Sequence, residues 1–285
     1  MYSLKNNGLE VQILDPSIDR KLLGSRYCTG GYIFQINDKK KGALLSGPQF
    51  PNPNFDVFHG QGAPEVFTTV LNENAAIGQE VLAPGIGLVE KTSSNIPFSV
   101  RDNPIVKEFC SWDIERDDQS ISMNTLHKFR NWKLIINRQV TLIDKIISSN
   151  TTVENRGQNP VSIRWFAHPF FPLPINSICC IFSTPFSIST NEGYFVNNQG
   201  FIEMKPEYDW KKGLFQKIVC SPSEKFSAIQ CHPKIGRISI ECDYIPASLA
   251  IWGNDKTFSI EPFHETTIEV NDKRTWSIRY CFGGK

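Results

Sequence analysis

The sequence lacks an excess of charge of either sign: 30 Lys plus Arg stand against 29 Asp plus Glu, a net charge of +1. Nucleic acids and acidic membranes attract clustered positive charge, so neither is expected as a partner. The one dense basic run, Lys39-Lys40-Lys41, is followed by Gly42 and reads as a solvated turn. Long apolar runs are missing too; none approaches the roughly 18–20 residues that span a bilayer. Met1 to Gly8 has no apolar stretch suited to export, so the chain is expected in a reducing cytoplasm. Eight cysteines are present but no C-x-x-C pair, which removes the usual zinc and dithiol spacings. They are expected to be small buried apolar residues rather than a disulfide framework.

Helical periodicity is also scarce. No window of a dozen residues keeps a 3.6-residue apolar period, and 18 Pro and 19 Gly interrupt the chain. Short alternating segments dominate instead, such as Glu10-Val11-Gln12-Ile13-Leu14 and Arg237-Ile238-Ser239-Ile240-Glu241-Cys242. Further strand candidates include 65–71, 109–115, 133–143, 145–154, 161–167, 193–204, 257–261 and 275–282. Gly, Pro, Asn and Asp clusters separate them, and 20 Phe, six Trp and seven Tyr suit a pleated surface. The expectation is an all-β chain, a large antiparallel sandwich of two sheets packed face to face. With no internal repeat or low-complexity linker, residues 1–285 are read as one domain. The aromatic, polar loop 46–64 is the segment best suited to build a site.

Two places carry candidate chemistry. In Arg164-Trp165-Phe166-Ala167-His168-Pro169-Phe170-Phe171 a strand runs into a histidine, stops at a proline and surrounds the ring with phenylalanines. Partial desolvation there lowers the imidazole pKa; a core histidine with one backbone partner is the plainer alternative. In Phe258-Ser259-Ile260-Glu261-Pro262 another strand delivers a carboxylate before a proline. If Phe258 and Ile260 face the core, Ser259 and Glu261 face the other way. An ordinary solvent-facing glutamate is the alternative. No G-x-S-x-G elbow is present, which disfavours a serine hydrolase.

His168 in Phe166-Ala167-His168-Pro169-Phe170-Phe171 resembles the histidine of the aldose 1-epimerase (galactose mutarotase) family. Thr152-Val153-Glu154-Asn155-Arg156-Gly157 resembles that family's strand and turn before the histidine, and Ile260-Glu261-Pro262 resembles the motif of its catalytic glutamate. A closing strand, Trp276-Ser277-Ile278-Arg279-Tyr280, follows in the expected order. The resemblance implies a large β-sandwich with a sugar cleft and interconversion of the α and β anomers of an aldose, a hexose or hexose phosphate among them. It implies Glu261 as base and His168 as acid, flanking opposite edges of one pyranose, with neither metal nor organic cofactor. Asp209, in Glu207-Tyr208-Asp209-Trp210, resembles the substrate-binding aspartate, against a turn-forming role. Trp210 beside it can stack on a sugar or cover the core. Gln61 and Glu65, in His59-Gly60-Gln61-Gly62-Ala63-Pro64-Glu65, stand where such proteins carry a polar sugar-binding residue; a structural Gly-rich turn is the alternative. The family's early Asn-Arg pair and second histidine are missing: His127, at a strand end in Leu126-His127-Lys128-Phe129, has the wrong surroundings for the latter, and His232 and His264 are read as structural. Arg26, Arg101 or Arg130 are the arginines that can supply a phosphate contact. A carbohydrate-binding sandwich without turnover is the competing reading.

Overall fold

The computed structural model describes residues 1–49, 60–220 and 224–283. His59 and the part of the 46–64 loop between 50 and 59 lie outside the described residues. Almost all regular structure is β. The helical pieces are a single turn, Arg20–Leu23, and a 3-10 turn, Trp210–Lys212.

Two large antiparallel sheets carry the fold. One has ten strands and centres on Gly236–Cys242, Lys273–Phe282, Ile146–Asn155, Trp132–Ile143 and Ser120–Phe129, in that order across the sheet. The other has seven. Its path runs Phe186–Ile188, Leu214–Cys220, Ser248–Gly253, Thr257–Ile268, Val161–Ala167, Glu65–Phe67, with Phe171–Pro172 also pairing on Thr257–Ile268. A four-stranded sheet (Tyr2–Lys5, Leu9–Ile13, Ile33–Asp38, Gly42–Ala43) and a three-stranded one (Glu80–Ala83, Gly87–Glu90, Val106–Phe109) complete the described structure.

Alternation explains the layering. In Trp132–Ile143 every second residue from Leu134 to Leu142 is buried, and in Ile146–Asn155 every second residue from Ile147 to Asn155. Those faces meet Val161, Ile163, Trp165, Phe258 and Ile260 of the seven-stranded sheet in one apolar cluster. Trp165 and Trp276 cross it edge to face, 5.8 Å between centroids. Val81, Ala83 and Val89 of the three-stranded sheet pack with Phe98 in a smaller cluster.

Local departures from the alternation pattern have visible causes. The expected strand 109–115 breaks between Val106–Phe109 and Asp113–Arg116, because Trp112 turns inward and its Nε1 donates to Thr29 Oγ1 at 2.9 Å. The 65–71 segment is β only over Glu65–Phe67; beyond it, Thr68 and Thr69 hydroxyls donate to the carbonyls of Arg164 and Ser162. Pro262 does not end its strand, which runs from Thr257 to Ile268. The ladder to Val161–Ala167 stops at the Phe166↔Phe263 pair, where a residue lacking an N–H is tolerated. All eight cysteines are free thiols; Cys28, Cys179, Cys180 and Cys242 are buried and the other four half-buried. No helix among the described residues is long and apolar enough to cross a membrane.

Candidate functional site

The outward face of the seven-stranded sheet gathers the two residues singled out in the sequence. Phe258 and Ile260 point into the core, so Ser259, Glu261 and Phe263 point the other way. On the neighbouring strand Phe166 pairs with Phe263. Two residues further on, His168 meets Glu261: Nε2 lies 3.5 Å from Oε1. The backbone N–H of His168 donates to the Pro64 carbonyl at 2.9 Å, which fixes the turn into Pro169. His168 Nδ1 lies 2.8 Å from Ser259 Oγ. Phe170 packs on the imidazole, 4.3 Å between centroids, and Trp252 stands edge-on at 6.2 Å. Tyr27 and Phe166 close the remaining sides.

His168 and Glu261 are each 4% exposed. Burial pushes the Glu261 carboxyl up to about 8, against the lowering field of Arg26. Burial, with Arg26 adding to it, holds the His168 imidazole well below its ordinary range. Both shifts favour the uncharged form. Burial thus works against a charge on either group of the pair. The two groups touch one another rather than facing across an open gap, so the picture of opposite edges of a pyranose is replaced by a contact pair at one end of a row.

An open cleft of about 490 Å³ continues that row. Its floor is the Phe166–Phe263 stack, 4.6 Å between centroids and 19° between planes. Phe166 and Phe263 each precede or follow a site residue by two positions, roughly 7 Å along the strand. Arg26, Arg101 and Arg164 line the cleft together with Phe98, and among the described residues no acidic one does. Arg164 is held at 3.1 Å by Glu265, the next outward residue of its neighbour strand.

The other expected site residues go elsewhere. Glu65 is a correction. It pairs with the inward-facing Ala167, whereas Val66 pairs with Phe166, so its side chain enters the sandwich. There it ion-pairs with Arg138 and accepts hydrogen bonds from Ser149 Oγ and Thr151 Oγ1. Arg138 was the missed residue. The signal was a charge on the buried parity of its strand, between Ile136 and Val140. Gln61 is also drawn into structure: its N–H donates to Tyr32 Oη at 3.3 Å and its side-chain amide to the Phe34 carbonyl. The glycine after it has φ +82°, and a Cβ there would stand 2.3 Å from the Ile33 carbonyl oxygen. The Gly-rich turn is thus a close backbone approach between chain segments.

Asp209 takes the turn-forming role. Its carboxylate accepts from Lys211 N and caps the Trp210–Lys212 turn, and Lys212 Nζ lies 3.9 Å away. Trp210 packs on Tyr194 and Tyr208 and donates to the Lys205 carbonyl. Among the described residues no hydrogen bond or ring contact joins Asp209 to His168 or Glu261. Asp209→Ala is expected to lower stability by about 1 kcal/mol or less, and to leave ligand affinity unchanged in a titration followed by Trp fluorescence. His232 bonds the Leu44 carbonyl at 2.9 Å, and His127 accepts from the Gly85 N–H at 3.0 Å. His264 packs between Tyr244 and Trp276. All three are structural.

Solved structures superpose on this sheet arrangement over nearly its whole length. A galactose mutarotase related enzyme from Lactobacillus acidophilus matches with a TM-score of 0.63, covering 99% of this chain and 97% of its own at 12% identity. The chain has the galactose mutarotase-like fold. A galactose mutarotase-like protein from Lactobacillus casei aligns with a TM-score of 0.59, at 12% identity and 99% coverage of both chains. An aldose epimerase homologue from C. elegans gives 0.54, at 12% identity, covering 98% of this chain and 97% of its own. No protein-family model and no curated protein matches the sequence. The likeness to a galactose mutarotase-like protein is therefore one of fold, and the residues of the site carry the chemistry.

Proposed function

We propose that this protein is an aldose 1-epimerase-like isomerase acting on an aldose that carries an anionic group, a hexose phosphate being the form that suits the cleft. The contact between His168 and Glu261 on the sheet face, next to that cleft, carries the reading. Ring opening needs a proton removed from the anomeric hydroxyl and one added to the ring oxygen. Both oxygens are bonded to the same carbon, so two side chains in contact can reach them.

With the proton resting on Glu261, the carboxyl donates to the ring oxygen as the C1–O5 bond breaks. His168 Nε2 takes the hydroxyl proton as the C1 carbonyl forms. The pair is then carboxylate and imidazolium. Rotation about C1–C2 presents the other carbonyl face. Closure reverses the roles: the imidazolium returns a proton to O1, the carboxylate takes one from O5–H, and the resting pair is restored. Phe166 and Phe263 offer an apolar floor for the sugar, and Arg26 and Arg101 offer charge for the anionic group.

A second reading, carbohydrate binding without turnover, draws on the burial of both groups. Exchange NMR of α and β anomers separates the two. Glucose, galactose and their 6-phosphates are compared with and without protein. Faster exchange is expected, with the phosphates preferred. Arg101→Ala is expected to raise KM for the phosphates about tenfold at unchanged kcat, and to leave the free sugars alone. Binding without faster exchange for every sugar would support the non-catalytic module.

A further inference from the structure

His127 does more than brace the turn at Gly85. The Gly85 backbone N–H donates to its Nε2 at 3.0 Å. A backbone N–H can only donate, so Nε2 carries the lone pair and the ring hydrogen of the neutral imidazole is on Nδ1. Burial holds this imidazole down at about 4, which keeps the ring neutral. Nδ1–H has no hydrogen-bond partner among the described residues. It is also not one of the five side-chain atoms sealed from solvent without a partner. This N–H therefore reaches the surface, although His127 is only 4% exposed, and the surface that His127 lines is a cleft of about 440 Å³. The cleft lies where two sheet edges part. Ser120–Phe129 pairs with Asp113–Arg116 only as far as Asn124↔Asp113, while its other edge stays paired to Phe129↔Trp132. Beyond that point the neighbouring chain turns away with Trp112, whose Nε1 donates to Thr29. The gap faces Val106–Phe109 of the three-stranded sheet.

We infer that this cleft is a second binding site, separate from the His168–Glu261 pair, for a neutral polyhydroxy compound such as a pyranoside or a cyclitol, with His127 Nδ1–H as its buried donor. Glu108 and Asp113 line the cleft as acceptors, and Lys128 and Asn124 as donors. Asn124 Oδ1 already accepts from Asn137, so its amide N–H groups are what it offers. A hydroxyl both donates and accepts, so adjacent hydroxyls of one ring use the carboxylates and the N–H groups together. An anion would meet two carboxylates. A cation would meet the Lys128 ammonium and a donor that the ring cannot withdraw, because Nε2 is committed to Gly85. Leu88 and Leu126 supply apolar surface for the C–H face of such a ring. The cleft shares no lining residue with the one beside His168.

The test needs no turnover, so its outcome is independent of the epimerase reading. Long-range 1H–15N NMR of protein labelled at its five histidines follows the His127 ring, assigned by its contact with the Gly85 amide proton. The probes are methyl α-D-glucoside and myo-inositol, which have no anomeric hydroxyl to exchange, and glucose 6-phosphate. The free protein is expected to show His127 protonated at Nδ1. The two neutral probes are expected to shift that signal saturably through the millimolar range. Glu108→Gln and Asp113→Asn, both at exposed positions, should each weaken the affinity about tenfold. Glucose 6-phosphate should bind at His127 about tenfold more weakly than the glucoside, and His168→Asn should leave the His127 titration unchanged. A ring protonated at Nε2 overturns the inference, as does a His127 signal that neither neutral probe moves. Wild-type affinity in both carboxylate variants, or glucose 6-phosphate binding as tightly as the glucoside, overturns it as well.

Discussion

Glu261→Gln and His168→Asn are each expected to lower the anomer exchange rate by about 10²–10⁴-fold, the usual contribution of a positioned acid or base. The double variant should lose little more than either single one, because both serve one proton exchange. Polarimetry on fresh α-anomer checks this, with circular dichroism confirming the fold. Two single variants that keep wild-type rates would overturn the catalytic assignment. The same substitution also has a stability signature. The Glu261 pKa of about 8 stands above the ordinary 4.5, so between those values the folded protein keeps a proton that the unfolded chain has lost. Its stabilising contribution is complete below pH 4.5 and disappears as pH rises through 8. His168 works oppositely. Its pKa lies below 6.5, so its contribution is complete above pH 6.5 and is lost as pH falls through the folded value. Of these two groups, Glu261 sets the slope between pH 6.5 and 8. Wild type should lose up to about 2 kcal/mol over that interval, whereas Glu261→Gln should lose much less. Urea denaturation at both pH values measures the difference.

How much of this was legible depended on what each residue was paired with. The all-β class followed from alternation and turn residues, which are local. The direction of Glu261 followed from Phe258 and Ile260, whose apolar side chains committed the strand to one face. His168 was legible as a strand-end ring among phenylalanines, and the structure adds contacts with Ser259 and Trp252, on two strands remote from it in sequence. Glu65 was misread because its segment gives no parity of its own: Glu65, Val66 and Phe67 are all buried, and only pairing with Ala167 assigns the faces. Asp209 was legible as a turn former, and its place beside Trp210 offered no sign that the carboxylate was committed to a backbone N–H. The near-complete burial of the pair was not legible, since it is produced by segments remote in sequence.

The ion pair between Glu65 and Arg138 should carry the largest effect on stability. Both side chains lie inside the sandwich, at most 3% exposed. Arg138 also donates to Ser149 Oγ at 2.8 Å and to the Gly30 carbonyl at 3.3 Å. Ser149 accepts from the guanidinium and passes its own hydrogen to Glu65. Glu65→Ala would strand a buried guanidinium, which costs about 3–5 kcal/mol and is expected to leave little folded protein at 37 °C. Replacing both charges, Glu65→Leu with Arg138→Met, should recover much of that loss, because desolvation of two ions disappears together with their attraction. The remaining deficit should come from the Ser149 and Thr151 hydroxyls left without partners, at about 1–3 kcal/mol each. Adding Ser149→Ala and Thr151→Val should therefore bring the quadruple variant close to wild type. Urea midpoints across the set measure the cycle. A sugar-binding Glu65 predicts a different pattern: Glu65→Gln would raise KM with stability intact. The expected result is the converse, a lower unfolding midpoint with KM unchanged in the folded fraction, since a carboxylate committed to a buried guanidinium on the inner face of its sheet has no route to a ligand on the outer one.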